Sequence, residues 1–146
     1  MSSQGPTVGS IEVPSSLSAL HDVCKVILDQ LARYRFGEED VFAVHLALEE
    51  AFSNAVEHGN RGDPTKTVRI DYTIDENQVV LRLTDQGNGF DPRKVPDPRL
   101  EENITEVRGR GLLLIRAYMD EVQFTPKGNS VRMVRLRHPD PEPDQA

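Results

Sequence analysis

Two neighbouring segments in the middle of the chain, residues 67–75 and 79–85, alternate between apolar and polar side chains. Alternation with a period of two is typical of a β-strand that buries one face and exposes the other. The short polar stretch between them, Asp75–Asn77, predicts a turn, so the two strands form an antiparallel hairpin. A sheet with one polar face requires a covering layer on its other face only, which limits the architecture of the whole chain.

Three segments have the helical spacing of apolar residues that can supply this layer. They are residues 17–34, residues 37–59 and residues 110–119. Gly37 precedes three acidic residues that suit the positive N-terminal end of the second helix. Gly59 is expected to end that helix in a left-handed conformation.

Further strands are predicted at Val8–Val13 on the sheet edge, at Glu121–Thr125 and at Ser130–Arg137. The alternation of the last strand slips at Met133–Val134, which leaves its register open and allows a bulge. The predicted fold class is α+β. It is a two-layer α/β sandwich, with a mixed but mostly antiparallel sheet and three main helices on one face.

The length of 146 residues suits one domain, expected at 8–137 between unpacked polar tails at 1–7 and 138–146. The excess of 24 acidic over 17 basic residues gives a net charge of −7, which argues against a broad nucleic-acid surface. The single cysteine, Cys24, excludes an internal disulfide and a cysteine-rich zinc site. Neither a signal peptide nor a membrane span is recognisable, so a cytoplasmic location without membrane contact is expected.

The second predicted helix carries a strip of polar side chains beside its apolar face. Glu50, Asn54 and His58 stand four residues apart, so they lie on one side of the helix on successive turns. Carboxylate and amide oxygens suit Mg²⁺ and an activated hydroxyl or water. A solvated helix face has the same spacing, so the strip alone leaves both interpretations open.

The strand at 79–85 ends in an acidic residue followed by glycines. The alternation places Asp85 on the apolar face of the strand, where a carboxylate is costly unless a donor meets it. Gly87 and Gly89 allow the backbone to approach a flat ligand closely, and an adenine amine would supply the donor. Alternatively, Asp85 caps the turn through backbone amides.

Residues 86–108 are rich in glycine, proline and charge, with a weak helical pattern at 100–106. A segment of this length in a compact domain is usually functional. It leads into a motif before the third predicted helix, which comprises Arg108, Gly109, Arg110, Gly111 and Leu112. Free amides at a helix N-terminus and two guanidinium groups form an anion site. A lone G-x-G is a weak signal, but the motifs of a Rossmann fold or P-loop are absent from the sequence.

In their order and context, these three motifs resemble those of the histidine-kinase-like ATPases, and within them the short anti-sigma-factor serine kinases. EEAFSNAVEHGN resembles the N box of the family, DQGNGFD its first glycine box and RGRGLLLIRAYMDEV its second. The resemblance covers roughly residues 11–137 and implies a Bergerat-type ATP-binding fold.

The resemblance implies a role for each matching residue. Glu50 would be the general base that activates the attacking hydroxyl, and Asn54 would hold Mg²⁺ at the ATP phosphates. Asp85 would accept a hydrogen bond from the adenine amine, with Gly87 and Gly89 shaping the base pocket. The other expected ATP contacts are His58, Arg108, Gly109, Arg110, Gly111, Leu112 and Ser130.

Two of these residues differ from the family pattern. Arg108 stands where many relatives of the wider superfamily have a further glycine, so phosphate binding would depend on a side chain. Ser130 falls where relatives carry a threonine near the adenine site.

The implied activity is phosphoryl transfer from Mg·ATP to a serine of an anti-anti-sigma (STAS) protein, with a sigma factor as the inhibited partner and a homodimer as the assembly. An alternative is a non-catalytic, nucleotide-dependent switch that regulates a partner such as a phosphatase. The catalytic domain of a sensor histidine kinase would need a dimerisation helix with a phosphoacceptor histidine, and His21 has no helical hairpin before it. A gyrase-type or mismatch-repair-type clamp would need a transducer domain, which we do not expect here.

Overall fold

The computed structural model describes residues 5–87, 107–125 and 129–139. In the second of these ranges, side chains are described only from residue 112 onward. The strands are β1 (Thr7–Pro14), β2 (Thr67–Ile74), β3 (Gln78–Asp85), β4 (Glu121–Phe124) and β5 (Ser130–Leu136). The helices are α1 (Leu20–Arg33), α2 (Glu38–Asn54) and α3 (Val107–Tyr118). A 3₁₀ turn at Leu17–Ala19 precedes α1, and a π-helical turn at Ala55–Gly59 continues α2.

The strands form a five-stranded sheet in the order β1-β2-β3-β5-β4. All four pairings among the described strands are antiparallel. β5 lies between β3 and β4, and because it pairs antiparallel with β3, the end of β3 lies beside the start of β5, where Thr84 is opposite Ser130. The α+β class predicted from the alternation is confirmed.

One apolar core joins the helices to a single face of the sheet. Alternating residues of the central strands face this core, and all three helices bury side chains in it. Its fully or almost fully buried members include Ile27, Leu31, Val44, Leu48, Phe52, Ile70, Leu81, Leu83, Ile115 and Met133. Burial of this aliphatic surface supplies the main stabilisation of the fold.

The bulge allowed by the sequence at Met133–Val134 does not form. The register between β3 and β5 runs without interruption from Gln78 opposite Leu136 to Thr84 opposite Ser130. Met133 and Val134 lie on opposite faces of the strand, and both are buried, with 0% and 1% exposure. Burial on both faces explains the two consecutive apolar residues without an extra residue in the strand.

Packed structure extends slightly into both predicted tails. β1 begins at Thr7, whose hydroxyl lies 2.6 Å from the hydroxyl of Tyr34. The backbone N–H of His138 donates to Asp40 Oδ2 at 3.0 Å, and its Nδ1 lies 3.1 Å from Asp40 Oδ1. Thr7 and His138, which the sequence analysis places in the tails, thus make contacts with the folded domain.

Within the three described ranges, no helix combines the length and hydropathy that crossing a bilayer requires.

Candidate functional site

A pocket of about 470 Å³, part of it open to solvent, lies where the end of α2 meets α3 and the adjoining ends of β3 and β5. Its walls are mainly apolar and include Ala51, Ala55, Leu83, Ile115, Phe124 and Val131. A largely apolar cleft with a few polar groups at fixed positions is typical of a small-molecule or cofactor site.

Five residues that the sequence analysis singles out line this pocket, although each comes from a different element or turn. They are Asn54, His58, Asp85, Leu112 and Ser130. The fold thus brings together the three motifs, which are far apart along the chain.

The remaining predicted residues stand in different positions. Glu50 is half-buried on α2, one turn before Asn54, and is not among the residues that line the pocket. Gly89 lies outside the described residues, as does most of the segment 86–108.

Residues 108–111 lie in the first turn of α3, which begins at Val107, three residues earlier than predicted. The first four N–H groups of an α-helix have no carbonyl partner within the helix, and the helix dipole favours anions there. Leu112, one turn into α3, is buried and lines the pocket. The first turn of α3 therefore leads directly to a residue of the pocket wall.

The end of α2 widens into a π-helical turn, in which the N–H of Asn60 donates to the carbonyl of Ala55 at 2.8 Å. Asn54 is half-buried at the last α-helical position and His58 is exposed within the turn. Isolated π turns occur frequently at functional sites because they redirect side chains at the end of a helix.

Asp85 is a buried carboxylate at the last position of β3. The alternation placed it on the helix-covered face, and the burial pattern of β3 agrees. The N–H of Gly87 donates to Asp85 Oδ1 at 2.8 Å, and the N–H of Asp85 donates to the carbonyl of Asn129 at 2.9 Å. Asp85 thus caps the turn, as one interpretation of the sequence held, and also lines the pocket.

Gly59 and Gly87 pack tightly around this carboxylate. A Cβ atom at residue 59 would overlap the side chain of Asp85, and one at residue 87 would overlap the carbonyl of Gly59. The predicted left-handed conformation of Gly59 is wrong, since the described residues with positive φ are Arg35, Arg61 and Gly62. Glycine is required at residue 59 because the helix end approaches Asp85 closely, not because of its φ angle.

The motif analysis assigned no role to Asn60, the last residue of the EEAFSNAVEHGN segment, which is fully buried beside this turn. Its Nδ2 donates to Ser15 Oγ and to the carbonyl of Thr67, both at 2.9 Å. Its Oδ1 accepts from the N–H of Gln86 at 2.8 Å. No periodicity marks such a residue, because two of its partners, Ser15 and Gln86, lie 45 and 26 residues away along the chain.

Ser130 borders the pocket at the start of β5, and its hydroxyl lies 3.0 Å from the hydroxyl of Thr84. The two hydroxyl groups form a hydrogen bond with each other across the β3–β5 pair.

Asn54 offers an oxygen atom that suits a hard cation. Among the residues with described side chains, no group of three or more His, Cys, Asp or Glu could hold a metal ion. Mg²⁺ is commonly held by one or two protein oxygens together with substrate phosphates, so the donor set fits a cation that arrives with a nucleotide.

Comparison with known proteins agrees with this geometry. Residues 13–135 match the model of the histidine kinase-like ATPase domain. The chain is 30% identical over 111 residues to the serine-protein kinase RsbW of Listeria monocytogenes serovar 1/2a, covering 71% of each chain. It is also 29% identical over 104 residues to the anti-sigma F factor of Clostridium beijerinckii, covering 66% of this chain and 69% of that relative.

A solved structure shows the same fold. The crystal structure of the RsbU and RsbW domains of a Mycobacterium tuberculosis protein superposes with a TM-score of 0.62 at 18% identity. The match covers 91% of this chain and 33% of that longer chain. Taken together, the fold and the sequence matches show that the chain belongs to the histidine kinase-like ATPases, and within them to the anti-sigma-factor serine kinase family.

Proposed function

We propose that this protein binds Mg·ATP in the pocket between α2 and α3 and transfers its γ-phosphoryl group to a serine of a partner protein. The observation that carries the proposal is the buried carboxylate of Asp85 in an otherwise mostly apolar wall. A flat base with an exocyclic amine can fill such a pocket and donate to that carboxylate.

The proposed reaction needs positioning and charge neutralisation more than covalent chemistry by the protein. The serine oxygen forms a bond to the γ-phosphorus, the bond to the leaving ADP oxygen breaks, and Glu50 accepts the serine proton. Asn54 would hold Mg²⁺, which neutralises phosphate charge when bound. The N–H groups at the start of α3, near Gly109 and Gly111, would bind phosphate oxygens, with Arg108 and Arg110 as charge partners.

The names of the relatives support protein partners. Because those relatives are named serine-protein kinase and anti-sigma F factor, we propose a sigma factor as the inhibited partner of this chain. An anti-anti-sigma protein of the STAS type would be the phosphorylated substrate. A homodimer and a cytoplasmic location complete the proposal.

One observation favours a second candidate function, a nucleotide-dependent binding switch without transfer. Glu50, the proposed base, is not among the residues that line the pocket. A switch that only binds nucleotide would regulate a partner such as a phosphatase and would not need this carboxylate.

Calorimetric titration with Mg·ATP tests the pocket assignment on the wild type, Asp85→Asn, Glu50→Ala and the control Glu57→Ala. Glu57 is an exposed carboxylate on the π turn outside the pocket wall. Asp85→Asn should weaken binding by about tenfold or more, as expected for a hydrogen bond to a charged group. Glu50→Ala and Glu57→Ala should bind as the wild type does. Equal affinity of all four proteins would overturn the adenine assignment.

Transfer of label from γ-labelled ATP to a STAS protein distinguishes the two candidate functions. The kinase assignment predicts serine labelling by the wild type and Glu57→Ala, and none by Glu50→Ala. Nucleotide binding without labelling by the wild type would favour the switch.

A further inference from the structure

We infer that Asn60 is a positioning residue that sets the orientation of Asp85 in the nucleotide pocket; this inference rests on the proposed function. Asn60 does not line the pocket. It is fully buried behind the pocket wall, immediately after the π turn, and therefore acts through its neighbours.

Both ends of the Asn60 amide are used. Nδ2 donates to the hydroxyl of Ser15 and to the carbonyl of Thr67, and these two contacts fix the direction of the side chain. The amide oxygen, Oδ1, is then presented to the N–H of Gln86 at 2.8 Å. An amide with opposite functions at its two ends suits this position better than a hydroxyl or a carboxylate.

The N–H of Gln86 belongs to the peptide group that follows Asp85, so holding this N–H fixes the plane of that peptide. The side chain of Gln86 completes a cycle of hydrogen bonds among Asn60, Thr67 and Gln86, because its Oε1 accepts from the N–H of Thr67 at 2.8 Å. Asn60 therefore sets the direction of the backbone at the end of β3.

The residue before Asn60 restrains the carboxylate from the other side. Gly59 packs against Asp85 so closely that a Cβ atom would overlap it. Asp85 is thus held between the Gln86 peptide on one side and Gly59 on the other, and both restraints depend on the position of Asn60. The preorganised carboxylate can accept from a base without reorientation on binding.

Two variants of Asn60 separate positioning from a general effect on stability. Asn60→Ala removes all three hydrogen bonds. Asn60→Asp keeps an acceptor for the Gln86 N–H and removes the donors to Ser15 and Thr67. Both should lower the melting temperature, whereas Mg·ATP binding to the folded protein should fall about tenfold for Asn60→Ala and less than about threefold for Asn60→Asp.

Gln86→Ala is the matched control. It removes the side-chain contact with Thr67 but leaves the Gln86 N–H bound to Asn60, so its affinity should equal that of the wild type. A tenfold loss for this variant would assign the effect to loosening of the turn and would overturn the role of Asn60.

A double-mutant cycle with Asp85→Asn tests the route of the effect. If Asn60 acts through Asp85, then Asn60→Ala in the Asp85→Asn background should change affinity by less than about twofold. The inference would be overturned if Asn60→Ala caused the same tenfold loss of affinity in both backgrounds. It would also be overturned if the affinity losses of Asn60→Ala and Asn60→Asp simply followed their losses of stability. If the single variant Asp85→Asn bound Mg·ATP with wild-type affinity, the proposed function would be overturned instead.

Discussion

A methyl group at residue 59 has no room in this fold, because it would overlap the Asp85 carboxylate. We expect Gly59→Ala to push Asp85 out of its place, with a stability loss of about 1–3 kcal/mol from overpacking. Mg·ATP binding should fall together with stability. Urea denaturation and calorimetric titration measure the two effects separately.

Gly62→Ala is the matched control for this prediction. Gly62 has a φ of 72° and open space around it, so an alanine there costs only the left-handed conformation, about 1–2 kcal/mol. Its affinity for Mg·ATP should be unchanged. If Gly59→Ala also binds normally, close packing against Asp85 is not what requires a glycine at residue 59.

These residues show how far single positions can be predicted from the sequence. The position of Asp85 on the covered face follows from the alternation of its own strand, which is a local property. The buried role of Asn60 depends on Ser15 and Gln86, which are 45 and 26 residues away along the chain. No local pattern encodes such partners, so the second restraint on the site becomes visible only in the structure.

Cys24 is buried in the core on α1, and its thiol should not react in the folded protein. Burial, followed by the negative charge of Glu49, raises the pKa of Cys24 to about 11 from an ordinary value of 9.0. Only the thiolate is a nucleophile, so a thiol reagent at pH 8 should label the protein only after unfolding in urea. Rapid labelling without denaturant would contradict the burial of this residue.

The raised pKa also predicts a pH dependence of stability. Between pH 9 and 11 the thiol of the unfolded chain ionises while the folded one stays protonated, so the unfolded state binds fewer protons. The contribution of Cys24 to the free energy of unfolding therefore decreases as the pH rises through this window. Cys24→Ala should show a smaller decrease than the wild type in urea denaturation between pH 9 and 11, and equal slopes would disprove the linkage.

At the scale of elements, a buried carboxylate joins the start of α2 to β5. Asp40 is fully buried, and Arg135 Nε donates to its Oδ1 at 2.9 Å. Arg135 Nη1 also donates to the carbonyl of Tyr118 at the end of α3. Asp40→Ala should cost about 3–5 kcal/mol in the free energy of unfolding, because it leaves the guanidinium of Arg135 without its buried charged partner.

Glu39→Ala is the control for this prediction. Glu39 lies 3.8 Å from Arg135 Nη2, but its side chain is 73% exposed. An exposed ion pair contributes about 0–1 kcal/mol, so urea denaturation of Glu39→Ala should barely differ from that of the wild type. Similar losses for the two variants would assign the effect to the charge of the helix N-terminus.

The helices and strands themselves were largely predictable, with the errors at their ends. The three acidic residues after Gly37 were assigned to the helix dipole, a local effect, yet Asp40 has its partner 95 residues away. The early start of α3 and the π turn at Ala55–Gly59 also escaped prediction. Contacts between elements decide such details, whereas the apolar period decides only that an element forms.

At the scale of the whole molecule, the fold class followed from one-sided strands, but the strand order did not. β5 pairs with β3 across a long stretch of chain that includes α3 and β4. This non-local pairing brings Ser130 and Val131 beside Leu83 and Asp85, and so it creates one wall of the pocket. The motifs predict candidate site residues from their order, whereas the convergence of five of these residues on one pocket depends on the complete sheet.

Because the pocket is built from residues between Ala51 and Val131, it cannot exist in the unfolded chain, and a nucleotide that binds it must stabilise the native state. Mg·ATP at a hundred times its Kd should add about 2.7 kcal/mol to the free energy of unfolding. For a domain of this size we expect the melting temperature to rise by about 5–10 °C, since each kcal/mol shifts it by about 2–4 °C.

Differential scanning fluorimetry of three proteins makes this prediction specific. Gly62→Ala should melt at a lower temperature than the wild type and show the same rise with Mg·ATP, because its substitution lies away from the pocket. Asp85→Asn should show a rise of about 3–6 °C or less, since tenfold weaker binding at the same nucleotide concentration adds only about 1.4 kcal/mol. Equal rises for the wild type and Asp85→Asn would place nucleotide binding elsewhere on the molecule, because a ligand stabilises the fold only through the site that holds it.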